Sequence, residues 1–416
     1  MRLSQLSGLF FWIEYIPMKT FKCTCPDEQI LFFESSHCLA CSRIVGLDDW
    51  FDKVEPYNLD KKSGHYFKDA KPGVPYQKCD NNAQYGVCNG MVNLDTFEPV
   101  EGEDEVLCFA CRFNNVIPDL GVTEHIPLWR KMEIAKRRAL YTLKAFSLPL
   151  RNFNEDVKSG LSFSFTTDRD VSDNFISVLE DKEPVFTGHS SGHITINLAE
   201  ANDVARSHTK LAMGERYRTL LGHFRHELGH YYFEKLILGS PDKHALCKQY
   251  FGDDELSYQD ALDRHYKEGA PKNWRDSFIS EYATMHPYED WAETWAHYMH
   301  IMDTLETAKN FSITGSTSAI AEETEKVEDL SLPQDAYFFS GQTSIDSILD
   351  TWIDFSVILN SLNRSMGMND AYPFVLTEPV RTKLSFVHHA IHDRLHHMPT
   401  LAVAEAKAKP EVVAKR

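Results

Sequence analysis

Residues 220–233 read LLGHFRHELGHYYF, and the reading of the chain turns on His226-Glu227-Leu228-Gly229-His230 within them. On an α-helix, positions i and i+4 lie about 40° apart around the axis and one turn apart along it. His226 and His230 would therefore share a face and chelate one ion. Glu227 stands beside them, within reach of a water on that ion, which is the physical logic of an H-E-x-x-H helix. Zinc would lower the pKa of such a water to about 7, and Glu227 would take its proton as the water attacks a carbonyl. Two incidental histidines on a solvated helix would give the same spacing. The flanks, Leu220, Leu221 and Phe224 before and Tyr231, Tyr232 and Phe233 after, speak for a buried helix instead. His223, three residues before His226, is expected in an outer layer or at the surface.

A catalytic zinc needs a third protein ligand. The longer H-E-x-x-H-x-x-G-x-x-H form is absent, because Phe233 and Leu236 occupy its glycine and last histidine positions. The next chemically dense stretch, from Glu281, reads EYATMHPYEDWAETWAHYMHI. Glu289 and Glu293 are four apart on one helical face. One of them can bind zinc, while the other accepts a ring N–H of a ligand histidine and fixes its tautomer. His286 and His297 are further candidates. Glu289 and Asp290 also suit a helix N-terminus after Pro287 on charge grounds alone.

Eight of the 9 cysteines lie between residues 23 and 111. Cys23, Cys25, Cys38 and Cys41 give C-x-C followed by C-x-x-C; Cys79, Cys88, Cys108 and Cys111 give C-x8-C followed by C-x-x-C. Each quartet suits one tetrahedral zinc held by four thiolates. Four thiolates leave no open position, so both metals are expected to be structural, stapling short strands such as residues 30–33. Disulfides would need an oxidising compartment, and no convincing export signal precedes the cysteines, so a cytoplasmic location is expected. Cys247 stands alone and reads as a bystander.

The chain has 416 residues and a formal net charge of −18, with 43% hydrophobic residues. Such a surface does not suit duplex nucleic acid. No apolar run is long enough to cross a membrane, so no membrane partner is expected. Residues 1–17 read as an extension or misassigned start ahead of Met18. The expected domains are ribbons at 18–60 and 61–117, a catalytic domain at 120–395 with a loose loop near 312–333, and a low-complexity tail at 396–416. Periodicity predicts helices at residues 128–146, 216–238, 273–285, 289–305, 345–362 and 380–392, and strands at 161–166, 175–179 and 193–198.

H-E-x-x-H followed by a helical E-x-x-x-E resembles the gluzincins. The resemblance makes Glu289 the zinc ligand and Glu293 the support of a histidine. The form Glu289-Asp290-Trp291-Ala292-Glu293 looks like that of the anthrax lethal factor group, which carries a tyrosine seven residues before its ligand glutamate. Tyr282 stands there and by resemblance would donate to the oxyanion. From about Met18 to residue 395 the chain is similar to the bacterial zinc-binding metallopeptidases with an N-terminal zinc ribbon. Its marks are FKCTC, CLAC, CRFNNVIPDL, GHFRHELGHYYF and HPYEDWAETWAHYMHIMDTLETA. Pro26 and Ser42 depart from the glycines that commonly follow the knuckle cysteines. The resemblance also implies an edge strand over the zinc that pairs with substrate. Residues 193–198, HITINL, suit that place through the backbone of Ile194 and Ile196 or through Asn197.

The expectation is therefore an α+β, zincin-like and largely helical domain behind two zinc-ribbon modules. It would hold one catalytic and two structural Zn2+ and cleave a protein or peptide substrate. Two rivals share the motif: a zinc hydrolase of another amide, and a ribbon adaptor with a silent peptidase fold.

Overall fold

The computed structural model describes residues 20–48, 53–99, 104–167, 188–206, 219–313 and 338–401. The expectations for residues 1–17, the strand at 175–179, nearly all of the loop at 312–333, the helix start at 216–218 and the tail from 402 lie outside them. The chain forms two compact units, one of residues up to Glu227 with Met299–Pro373, the other of Leu228–Tyr298 with residues from Phe374 onward.

The N-terminal region begins with a hairpin, β1 (Phe21–Lys22) against β2 (Ile30–Leu31). A five-stranded antiparallel meander follows: β3 (Ile44–Leu47), β4 (Val54–Leu59), β5 (Tyr66–Lys68), β6 (Lys71–Lys78) and β7 (Met91–Asn93). Its core is Tyr57, Tyr76 and Met91. Lys68 lies over the Tyr76 ring at 5.0 Å and is neutralised by Glu55 and Asp48. Leu47 at the first strand bridges Gly90 just before the last, so the sheet nearly closes on itself. This corrects the division at 60/61. That point falls at the tip of the β4–β5 hairpin, so both quartets hang from one sheet. The loose C-x8-C half is also explained, because α1 (Asp80–Tyr85) fills it and ends on Gly86 at φ 63°.

A second sheet, order β10-β11-β9-β8, contains β8 (Asn114–Val116), β9 (Ser162–Thr166), β10 (Gly188–Ser190) and β11 (His193–Asn197). The helix α2 (His125–Ala145) buries a pair of charged groups, unusual for a helix core. Glu133 and Lys136, fully buried and 2.8 Å apart, share Asn114, and Trp129 Nε1 donates to Glu133 at 3.0 Å. Removal of either charge would strand the other in a low-dielectric interior.

Further helices are α3 (Leu220–Phe233), α4 (Pro241–Phe251), α5 (Tyr258–Glu268), α6 (Pro287–Asn310), α7 (Ile345–Ser365) and α8 (Glu378–Ile391). Phe224 of α3 packs on Phe163 of β9, ring centroids 5.6 Å apart, which seats the helix against the sheet. A π-helical turn, Glu234–Leu238, prolongs α3. The helix expected at 273–285 does not form. In its place are two 3-10 turns, Trp274–Asp276 and Tyr282–Thr284. Ser280 Oγ takes the Ala283 N–H, so a side chain competes with the helical ladder there.

Candidate metal centres

The first quartet places Cys23 Sγ 3.7 Å from Cys41 Sγ and Cys25 Sγ 3.9 Å from Cys38 Sγ. A disulfide is about 2.05 Å. Thiolates at about 2.3 Å around a tetrahedral zinc lie about 3.8 Å apart, so the donor set fits zinc. Arg43 donates to the sulfurs of Cys41 and Cys23 at 3.4 Å. That guanidinium holds the Cys41 thiol down at about 6, while burial pushes Cys23 up to about 12. A bound dication would deprotonate such a thiol. Ser42, where the resemblance expects glycine, takes the left-handed conformation at φ 58°. The chain thus keeps the glycine geometry without the glycine, at a steric cost of about 1 kcal/mol.

In the second quartet, Cys79, Cys88, Cys108 and Cys111 are all buried, with every sulfur within 4.8 Å of the others. Gly90 is required beside it, since a Cβ there would stand 2.5 Å from Cys108 Sγ.

The third group is His226, His230 and Glu289. Their ligand atoms all lie within 4.8 Å of one another, and all three residues are buried. His230 Nε2 and Glu289 Oε2 are 3.4 Å apart. Nitrogen and oxygen ligands at about 2.0–2.1 Å around a tetrahedral zinc are spaced about 3.3 Å, so this set also fits. Tyr288 stacks on the His230 ring at 4.1 Å and 26°. Glu227, next along α3 from His226, is buried as well.

Of the other candidates, His286 is occupied on both ring nitrogens. Nε2–H donates to the Leu256 carbonyl at 3.1 Å, and Nδ1 accepts the Tyr288 N–H at 3.1 Å. It is a fastener at the start of α6, with no nitrogen left for a metal. His297 lies edge-on to Phe374 at 4.4 Å. His223 Nδ1 is 3.5 Å from Glu200. Glu293 accepts the Ser280 hydroxyl at 2.6 Å. Burial and the Glu289 carboxylate push the Tyr282 hydroxyl well above the ordinary range, so it stays a donor. The edge-strand reading of residues 193–198 is corrected. β11 lies inside the sheet, Gly188–Ser190 occupying one side of its backbone and β9 the other. Ile194 and Ile196 are fully buried, and the Asn197 side chain accepts the Ala199 N–H at 3.0 Å.

Sequence reading missed three features here. Tyr258 donates to Glu289 Oε1 at 2.9 Å. Lys383 donates to Asp290 Oδ2 at 2.6 Å; burial pushes Asp290 up to about 7 and Lys383 opposes that shift. Arg225, just before His226, pairs with Asp303. Only the last two had a signal, charges interrupting apolar helical faces.

The fold and these centres define an α+β chain in which a zinc-ribbon region precedes a zinc-peptidase domain. A family model described as "Putative zinc-binding metallo-peptidase" matches residues 125–390, and the chain belongs to that family. A model described as "zinc-ribbon domain" matches residues 20–122, spanning both quartets. Among curated relatives, uncharacterized proteins of Mycobacterium bovis and of two Mycobacterium tuberculosis strains are each 37% identical over 365 residues, covering 88% of this chain and 93% of theirs. No solved structure matches. Among the described residues, no helix is long and apolar enough to cross a membrane.

Proposed function

We propose that the chain is a cytoplasmic zinc-dependent peptidase that hydrolyses peptide bonds of protein or peptide substrates. The observation that carries this reading is the buried His226–His230–Glu289 group with Glu227 beside it on the same helix. A zinc ion held by those three residues would supply Lewis-acid polarisation of the scissile carbonyl and a water of lowered pKa. Glu227 accepts a proton from the attacking water and returns it to the leaving nitrogen. Tyr282, kept protonated by its surroundings, donates to the oxyanion. Glu293 accepts a ring N–H of a ligand histidine and fixes its tautomer. Two further zinc ions in the cysteine quartets are structural.

The test is zinc per chain in the purified protein, in the His226→Ala/His230→Ala double variant and in Glu227→Gln. Three, two and three ions are expected, with Glu227→Gln reducing cleavage of a peptide library by about 10²–10⁴-fold. Two ions in all three proteins would remove the catalytic reading and favour a ribbon adaptor.

A further inference from the structure

Glu289 has two carboxylate oxygens, and the structure uses them differently. Oε2 lies 3.4 Å from His230 Nε2, on the side of the ligand group, whereas Oε1 accepts the Tyr258 hydroxyl at 2.9 Å. We propose that Tyr258 is a positioning residue of this centre, holding Oε1 so that Glu289 meets the metal through Oε2 alone. The inference rests on the reading of His226, His230 and Glu289 as a metal site.

The surroundings of Tyr258 support a role for its hydroxyl rather than its ring. The residue is 41% exposed, so it is no core filler. It opens α5, whose first turn is capped by Ser257 Oγ accepting the Asp260 N–H at 3.3 Å. Two residues earlier, the Leu256 carbonyl takes the His286 Nε2–H, and the same imidazole takes the Tyr288 N–H. His286 thus ties the start of α5 to the start of α6. The Tyr258 ring sits 5.4 Å from it. The phenol is delivered to Glu289 by two helix starts bound through one imidazole. A carboxylate with one oxygen committed to a phenol binds a metal through the other and leaves coordination space for water and substrate. Partners of this kind typically contribute about 10–100-fold to metal affinity.

The experiment compares the full-length protein with Tyr258→Phe, which keeps the ring and loses only the hydroxyl; Tyr266→Phe, an exposed tyrosine of the same helix, is the control. Chelator competition should show the helix-site zinc of Tyr258→Phe held about 10–100-fold more weakly, with the ribbon zinc unchanged. With cobalt(II) in the helix site, the visible absorption should weaken. Release of Oε1 allows Glu289 to chelate through both oxygens and raises the coordination number, a signature that mere loosening does not give. The inference stands only if both readouts move. Unchanged affinity, or weaker affinity with an unchanged cobalt spectrum, overturns it while leaving the zinc site intact. A wild-type chain with only two metal ions overturns the site reading itself.

Discussion

Gly229 sits between the two histidines of the helix site, where α3 comes close to α6. A Cβ at this position would lie 3.0 Å from Ala292 Cα, 3.2 Å from Ala292 O and 3.2 Å from Trp295 Cβ. Two of those three atoms are backbone and cannot swing aside. Trp291 Nε1 adds a 2.8 Å hydrogen bond to the Gly229 carbonyl. The small pair Gly229–Ala292 therefore lets two helices touch almost backbone to backbone. Because His230 follows Gly229 and Glu289 lies one turn before Ala292, that approach sets their 3.4 Å separation. Gly229→Val should force the helices apart, costing about 1–3 kcal/mol of stability despite better helix propensity. The helix-site zinc should be lost first. Thermal melts with zinc content per chain check this; a variant that keeps three ions and its melting temperature would contradict it. The sequence displayed both small residues, but not that they face one another. That fact lies in the packing of residues more than sixty positions apart.

At the scale of elements, α6 carries Glu289 of the proposed metal centre at its start and buried charge further on. Asp303 accepts from Arg225 of α3 and, at 2.7 Å, from Thr142 of α2, while Glu306 accepts Tyr141 at 3.1 Å. Burial raises Asp303 and Arg225 counters it. Arg225→Ala should cost about 3–5 kcal/mol, because an unpaired buried carboxylate remains. Arg225→Met with Asp303→Leu should recover most of that loss, as read by urea unfolding of the three proteins. At the C-terminal end of α8, burial lowers His388 to about 3 and the capping His392 to about 4. Both are depressed below their unfolded value of about 6.5, so the unfolded chain binds more protons between that pH and about 4. The stability they contribute is complete above about 6.5 and is lost as pH falls through that window. His388→Gln should flatten the loss between pH 6.5 and 4, and an unchanged slope would assign it elsewhere. The long helices were legible because their apolar faces repeat at helical spacing, as Trp291, Trp295, Tyr298 and Met302 do on α6. α4 and α5 were not. α5 is short and strongly polar and buries only Ala261, so its apolar stripe is thin, and residues 273–285 were misread because Ser280 redirects the local backbone. Of the candidate site, the α3 pattern was legible from spacing alone. Tyr258 carried no signal, since nothing in its neighbours marks it as the partner of a glutamate 31 positions away.

At the scale of the whole molecule, the ribbons behave as one structure. The two C-x-x-C knuckles were plain in the sequence, but their sharing of a sheet was not, because pairing of β3 to β7 depends on register between distant segments. Asn89, directly after Cys88, is the junction. Its Nδ2 donates to the Phe33 and Ser35 carbonyls at 2.9 Å each, its carbonyl accepts the Leu47 N–H at 2.9 Å, and its Oδ1 accepts from Arg137 of α2. One residue beside a second-quartet ligand thus holds the chain of the first ribbon, the opening strand of the sheet and the first helix behind it. Arg138 reaches Glu34 at 2.6 Å and Arg130 reaches the Gly86 carbonyl at 2.9 Å, adding further ties to α2. Structural zinc contributes folding free energy directly, so loss of one ion should be felt by whatever shares its sheet. Cys38→Ser/Cys41→Ser should therefore remove the first zinc and also speed release of the second at least about tenfold, about 1.4 kcal/mol off its release barrier. Release into a chromophoric chelator resolves the two steps. If only one ion is lost and the second leaves at the wild-type rate, the quartets are independent and the shared sheet transmits nothing between them. If the second accelerates while the helix-site ion leaves unchanged, the coupling runs through the sheet and Asn89 and stops short of the peptidase centre.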